Sequence, residues 1–125
     1  MLREIGGVGQ RPNEGRRRWF RDDYFDIFTW QEADGAVNAF QLCYEVEGYE
    51  RSLTWSRHNG YTHNWVDNGG SDSRIGMSPI LRPDGVFPLS RVVAELDARG
   101  IEIDPAIRAA LREKIQSYPS MALPD

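Results

Sequence analysis

Three closely spaced turn signals divide the stretch from Tyr24 to Asp67 into four short segments. Asp34-Gly35 and Asn59-Gly60 are typical of two-residue hairpin loops, because both loop positions adopt positive φ in such turns. Between them, the polar run Glu47-Gly48-Tyr49-Glu50 indicates a looser turn. This spacing predicts four antiparallel strands connected as a meander.

The loop lengths also predict a register, since side chains alternate between the two faces of a strand. A two-residue loop at each Asx-Gly pair places Ile27 opposite Leu42 and Leu53 opposite Val66. An even middle loop places Leu42 opposite Trp55. Because a slip of one residue would scatter the large apolar side chains, we expect the face that they share to be buried. That face comprises Phe25, Ile27, Thr29, Phe40, Leu42, Tyr44, Val46, Leu53, Trp55 and Val66.

Two amphipathic helices are predicted in the last third of the chain. The first has Gly100 just past its end, and the second has Asp104 as its N-cap followed by Pro105 at its first position. Each helix has one apolar stripe that needs a partner. The stripes consist of Leu89, Val92, Val93 and Leu96, and of Ile107, Ala110, Leu111 and Ile115, with Tyr118 as a further candidate.

A sheet with one apolar face and two helices with one stripe each favour an α+β two-layer sandwich. We expect an antiparallel four- to five-stranded β-meander with two C-terminal helices packed on one face. The extended run Met77 to Leu81 is the candidate for a fifth, edge strand. Residues 1–15 are rich in glycine and polar side chains and predict a flexible N-terminal tail, and residues 16–125 predict a single α+β domain.

The run Arg16 to Arg21 has two interpretations. It is either a basic-aromatic patch for phosphate or nucleic acid, or a short edge strand or turn with Trp19 or Phe20 packed inward. The chain has a formal net charge of −4 and a sequence pI near 5.2, which favours the second interpretation. The same charge argues against nucleic acid and anionic membranes as partners.

Residue usage indicates a cellular compartment and a type of genome. Cys43 is the single cysteine, so no intrachain disulfide can form and a reduced, cytoplasmic setting is expected. Lys114 is the only lysine among many arginines, which indicates a GC-rich, bacterial genome. No apolar run has the length of a signal peptide or a membrane span.

The second face of the predicted sheet carries aromatic side chains around a polar centre. Such a patch exceeds what a soluble monomer usually exposes, so we expect an occupant there. The candidates are a second copy of the chain, a small protein or peptide, a small ligand, and the Met77 to Leu81 stretch folded over. Tyr24 is expected on the rim of this face, and the candidate binding residues are Phe28, Trp30, Gln41, Ser56, His58, Tyr61, His63 and Trp65.

The sequence predicts no catalytic residue, metal or cofactor. His58 and His63 lie diagonally across one hairpin, but no third metal ligand is within reach. Cys43 is too far from His63 for nucleophile–base contact, and Asp26 opposite it disfavours a thiolate. The preferred function is a small non-catalytic interaction or binding module, expected to be a homodimer. The alternative is a small-molecule-binding protein or small enzyme with a pocket around His58, His63, Ser56, Gln41 and Trp30.

Overall fold

The computed structural model of the chain describes residues 1–45, 50–67, 80–83 and 87–118, with the backbone alone described at 65–67 and 80–83. Within these ranges, seven strands in chain order form one antiparallel sheet. They are β1 (Arg3–Ile5), β2 (Arg16–Arg21), β3 (Phe25–Gln31), β4 (Val37–Tyr44), β5 (Arg51–Ser56), β6 (Gly60–Asp67) and β7 (Ile80–Pro83). Two helices follow, α1 (Leu89–Arg99) and α2 (Pro105–Gln116).

The predicted α+β architecture is confirmed, with a longer meander than expected. The four predicted strands correspond to β3–β6, and Ile80 and Leu81 belong to the edge strand β7; Met77 lies outside the described residues. The Arg16 to Arg21 run is a strand, and Phe20 within it is fully buried. Strand β1 lies in the segment that we predicted as a flexible tail, and Leu2 beside it is fully buried, so this part belongs to the sheet and core.

The first hairpin has the predicted strand register but not the predicted loop. Ile27 pairs with Leu42 and Phe25 with Tyr44. The loop is longer, since the Glu32 N–H donates to the Ala36 carbonyl and Gly35 has φ of +93°. An irregularity between Trp30 and Gln31 restores the register along the strands.

The middle connection shifts the predicted pairing by two residues. Leu42 faces Leu53 rather than Trp55, and Phe40 faces Trp55. An even shift preserves the faces of a strand, so the apolar residues of β5 still point to the predicted side. The call on Val46 lies outside the described residues.

The predicted register of the last hairpin is wrong, and the error reverses the two faces of β6. Leu53 faces His63 and Trp55 faces Tyr61, because Arg57, His58 and Asn59 all form the turn and Gly60 has φ of +73°. The predicted partner of Leu53 was Val66, three positions further along. An odd shift turns every residue of the strand to the opposite face.

The helices cover the side of the sheet that bears the apolar strand residues, which we call the inner face. Its fully buried residues include Phe20, Ile27, Phe40, Leu42 and Leu53. The predicted helix stripes meet it: Val92 and Leu96 of α1 and Ile107, Leu111 and Ile115 of α2 are all fully buried. The predicted N-cap is also confirmed, because the Asp104 carboxylate accepts a hydrogen bond of 2.9 Å from the Ala106 N–H.

Candidate functional site

The side of the sheet opposite the helices, which we call the outer face, has cross-strand rows that differ in burial. Its rows, read from β2 to β6, are Arg17–Trp30–Ala39–Ser56–Gly60, Trp19–Phe28–Gln41–Thr54–Thr62 and Arg21–Asp26–Cys43–Ser52–Asn64. In the last row, Ser52 and Asn64 are buried. The aromatic side chains of the other two rows are only partly buried. The accessible part of the outer face therefore includes the first two rows, whose aromatic side chains lie on β2 and β3.

Three neighbouring rings form the main feature of this accessible part, and we call Trp19, Phe28 and Trp30 the aromatic ladder. Trp19 and Phe28 face each other across β2 and β3, with ring centroids 5.4 Å apart and planes 11° from parallel. The rings of Phe28 and Trp30 are 6.3 Å apart. The Trp19 indole N–H donates to the Asp26 carboxylate, which fixes that ring. The ladder is thus an ordered apolar surface.

Arg17 borders the ladder and organises the chain beside it. Its guanidinium carbon lies 5.8 Å from the centre of the Phe28 ring. Its Nε–H donates to the Gly9 carbonyl at 3.1 Å. The Gln10 side-chain amide pairs with the Arg17 backbone in both directions at 2.8 Å. The glycine-rich segment 6–10 is therefore held against β2 rather than hanging free.

The two neighbouring arginines on β2 have contrasting partners. Arg18, on the inner-face side, makes ion pairs with Glu4 at 2.7 Å and Asp104 at 3.1 Å. Within the described residues, the Arg17 guanidinium has no carboxylate partner. An arginine that is held in place but not neutralised is a cation available to an external anion.

Cys43 lies on the outer face in the same row as the buried residues Ser52 and Asn64. Burial raises the pKa of its thiol to about 12, and the carboxylate of Glu50 acts in the same direction. Glu50 itself has a pKa above its ordinary value, mainly because of burial. A thiol in this environment is a poor nucleophile.

The structure separates the residues that the sequence placed together. Phe28, Trp30, Gln41 and Ser56 lie on the outer face as expected. His58 is exposed in the turn between β5 and β6. Tyr61 and His63 point to the inner face because of the shifted hairpin register. Trp65 pairs with Arg51 in β6, and its side chain lies outside the described residues.

Tyr24 is a further correction. It precedes β3 and does not join the outer face; it is buried in the core, where its ring packs edge-on against Phe25 at 4.7 Å. Two arginines of α1, Arg91 and Arg99, lie over its ring at 5.6 and 4.9 Å. Tyr24 therefore joins sheet and helix instead of rimming a binding surface.

His63 is part of the core rather than of a surface pocket. It is 6% exposed, and its Nε2 lies 2.7 Å from the Tyr44 hydroxyl oxygen. The rings of Phe87 and Tyr118 pack against it at 5.1 and 6.2 Å. Consequently the predicted pocket around His58, His63, Ser56, Gln41 and Trp30 is not formed.

Among the described residues, no three His, Cys, Asp or Glu side chains come together as a candidate metal-ion site. None of the helices in the described ranges is long and apolar enough to cross a membrane. Comparison of the chain with family models, with curated proteins and with solved structures finds no match.

Arg17 and Trp19 are the site residues that the sequence analysis did not place. The signal was present in the alternation of β2, where Arg17, Trp19 and Arg21 share one parity and Arg16, Arg18 and Phe20 the other. With Phe20 assigned inward, this alternation puts Trp19 on the same side as Phe28.

Proposed function

We propose that this chain is a non-catalytic binding module whose binding surface is the aromatic ladder on the outer face. The supporting observation is that Trp19, Phe28 and Trp30 form one contiguous, partly exposed surface while the inner face already provides the core. An antiparallel sheet needs only one buried face, and the other is usually polar. Aromatic side chains and arginine are enriched in protein interfaces.

We propose a second copy of the chain as the occupant. Two sheets can pack face to face at about 10 Å, and a two-fold axis lets each ladder meet the same surface of its partner. The residues beside the ladder, Ala39, Gln41 and Ser56, are small or uncharged. Packing these three residues against another sheet buries no charge.

Sedimentation equilibrium over a wide concentration range tests this proposal. The wild type is expected to be a dimer, and the double variant Phe28→Ala/Trp30→Ala a folded monomer, because the variant removes most of the apolar contact area. Ile101→Ala is the matched control, since Ile101 is 61% exposed and lies in the turn between the helices. A wild type that stays monomeric throughout, or an Ile101→Ala protein that dissociates as readily as the double variant, would overturn the dimer.

A reduced, bacterial cytoplasm remains part of the proposal. It is supported by the single cysteine, Cys43, and by Lys114 as the only lysine. Fractionation of bacterial cells that express the full chain should recover the protein with cytoplasmic markers. Recovery with periplasmic markers would contradict this assignment.

A further inference from the structure

A hollow of about 260 Å³ lies at the side of the outer face next to β1 and β2. Its lining residues are Gly6, Gly7, Val8, Gly9, Arg17, Trp19 and Phe28. The glycine-rich segment thus forms one wall, and the first two rings of the aromatic ladder with Arg17 form the other. A cavity of ~150 Å³ suffices for benzene in an engineered protein, so a single substituted ring fits in this space.

Two positions of the glycine wall have space around them for a side chain. A Cβ added at Gly6 or Gly7 would meet no atom within 4 Å. Gly7 needs its φ of +73°, but no close contact in the surroundings demands the small size of Gly6. A larger side chain can therefore be introduced at Gly6 without a clash.

The wall opposite combines a cation with two rings. The Nε–H of Arg17 is used to hold Gly9, which orients the guanidinium and leaves its two terminal nitrogens without a carboxylate partner in the described chain. These nitrogens suit bidentate contact with a carboxylate or phosphate. Trp19 and Phe28 supply apolar and π surface for a planar group.

We propose that this hollow binds a small ligand in which an aromatic ring carries a carboxylate or phosphate group. The anion contacts Arg17, and the ring packs against Trp19 and Phe28. This inference rests on the proposed function in treating the outer face as a binding surface. It shares Trp19 and Phe28 with the proposed dimer contact, but it does not require a second copy of the chain.

The test is a ¹H–¹⁵N NMR titration with benzoate and phenyl phosphate as probes. Both should shift the amide signals of Gly7 and Gly9 and the Arg17 Nε–H signal in a saturable way, with dissociation constants no weaker than ~1 mM. Benzamide has the ring without the charge, and acetate and inorganic phosphate have charge without the ring. All three should bind at least about tenfold more weakly, because each lacks one of the two proposed interactions.

Variants of the chain separate the site from the fold. Arg17→Gln should weaken benzoate binding about tenfold or more, because the charge-assisted bonds are lost. Arg16→Gln, which removes the adjacent exposed arginine on the opposite side of β2, should leave binding unchanged. Gly6→Val adds bulk to the glycine wall without a clash and should weaken binding, while the rest of the spectrum stays that of the wild type.

The proposal is wrong if neither probe shifts these signals at up to ~10 mM, well above the expected dissociation constant. It is also wrong if benzamide binds as well as benzoate, or if Arg16→Gln and Arg17→Gln have equal effects. Sedimentation equilibrium of the same samples distinguishes failure of the dimer proposal from failure of the ligand proposal. A monomeric protein that binds benzoate contradicts the dimer alone, and a dimer that binds neither probe contradicts the ligand alone.

Discussion

The two faces of the sheet use the same strands for different purposes. On the inner face, Phe20, Ile27 and Leu42 are fully buried beneath the helices. On the outer face, the neighbouring residues Trp19, Phe28 and Gln41 are partly exposed and have no described helix over them. Residues one position apart therefore experience different environments, and adjacent substitutions should separate stability from binding.

The largest difference is expected between Leu42 and Gln41. Leu42→Ala leaves a cavity in the core and should lower the free energy of unfolding by about 2–5 kcal/mol. Gln41→Ala, one residue away on the outer face, should change it by less than about 0.5 kcal/mol. Urea denaturation of the two variants measures both values, and equal losses would mean that the faces are not energetically distinct.

The adjacent arginines Arg18 and Arg17 give the next comparison. Arg18→Gln removes ion pairs that join β1, β2 and the start of α2, and should cost about 1–3 kcal/mol. Arg17→Gln removes a cation without a carboxylate partner and one bond to Gly9, and should cost about 0.5 kcal/mol. Thermal unfolding at matched salt gives the order, and a larger loss for Arg17→Gln would contradict it.

Asp22 connects the start of β3 to Arg99 of α1 and should make the stability of the fold depend on pH. Burial by itself raises the pKa of this carboxyl, but hydrogen bonds from the Phe25 and Tyr24 N–H groups and from Arg99 outweigh it and leave the pKa below its ordinary value. A lowered folded-state pKa stabilises the protein above the unfolded pKa of about 4, and this contribution is lost as the pH falls towards the folded pKa.

Asp22→Asn is therefore expected to cost about 1–3 kcal/mol at pH 7. The difference from the wild type should shrink as the pH is lowered below about 4, because protonation removes the same charge from the native residue. Urea titrations at several pH values measure this. A difference that grows on acidification would show that the sign of the shift is wrong.

The smallest effect is expected at Cys43, in the row of the outer face that contains Ser52 and Asn64. Because burial raises the pKa of its thiol to about 12, alkylation by iodoacetamide at neutral pH should be far slower in the native protein than in urea. Mass spectrometry of timed samples measures both rates. Equal rates would mean that this row is open to solvent.

Sequence patterns predicted the layers better than the site. The alternation of apolar residues on β3 to β5 and the apolar stripes of the helices are strong signals, because many side chains must agree on one face. Even a two-residue error in the middle connection therefore left the predicted faces correct. The Asn59-Gly60 signal was ambiguous, because glycine with positive φ also ends longer hairpin loops. That one ambiguity moved Tyr61 and His63 to the inner face.

The aromatic character of β6 could have resolved the ambiguity. Tyr61 and His63 alternate with the polar residues Thr62 and Asn64, and a strand buries its larger side chains against the core. The contacts of Gln10 and Arg17 that shape the hollow had no such signal, since they depend on how the glycine-rich segment lies along β2.

The most direct test of the distinction between the faces compares two phenylalanines on adjacent strands, one in β2 and one in β3. Phe20 pairs with Ile27 on the inner face, and Phe28 pairs with Trp19 on the outer face. Phe20→Ala and Phe28→Ala should be compared by urea denaturation and, on the same samples, by sedimentation equilibrium.

We predict that Phe20→Ala costs about 3–5 kcal/mol, as is usual for a buried ring, and that Phe28→Ala costs about 1 kcal/mol but weakens self-association. Equal destabilisation by the two changes, with self-association untouched by Phe28→Ala, would contradict the assignment of the aromatic ladder to binding.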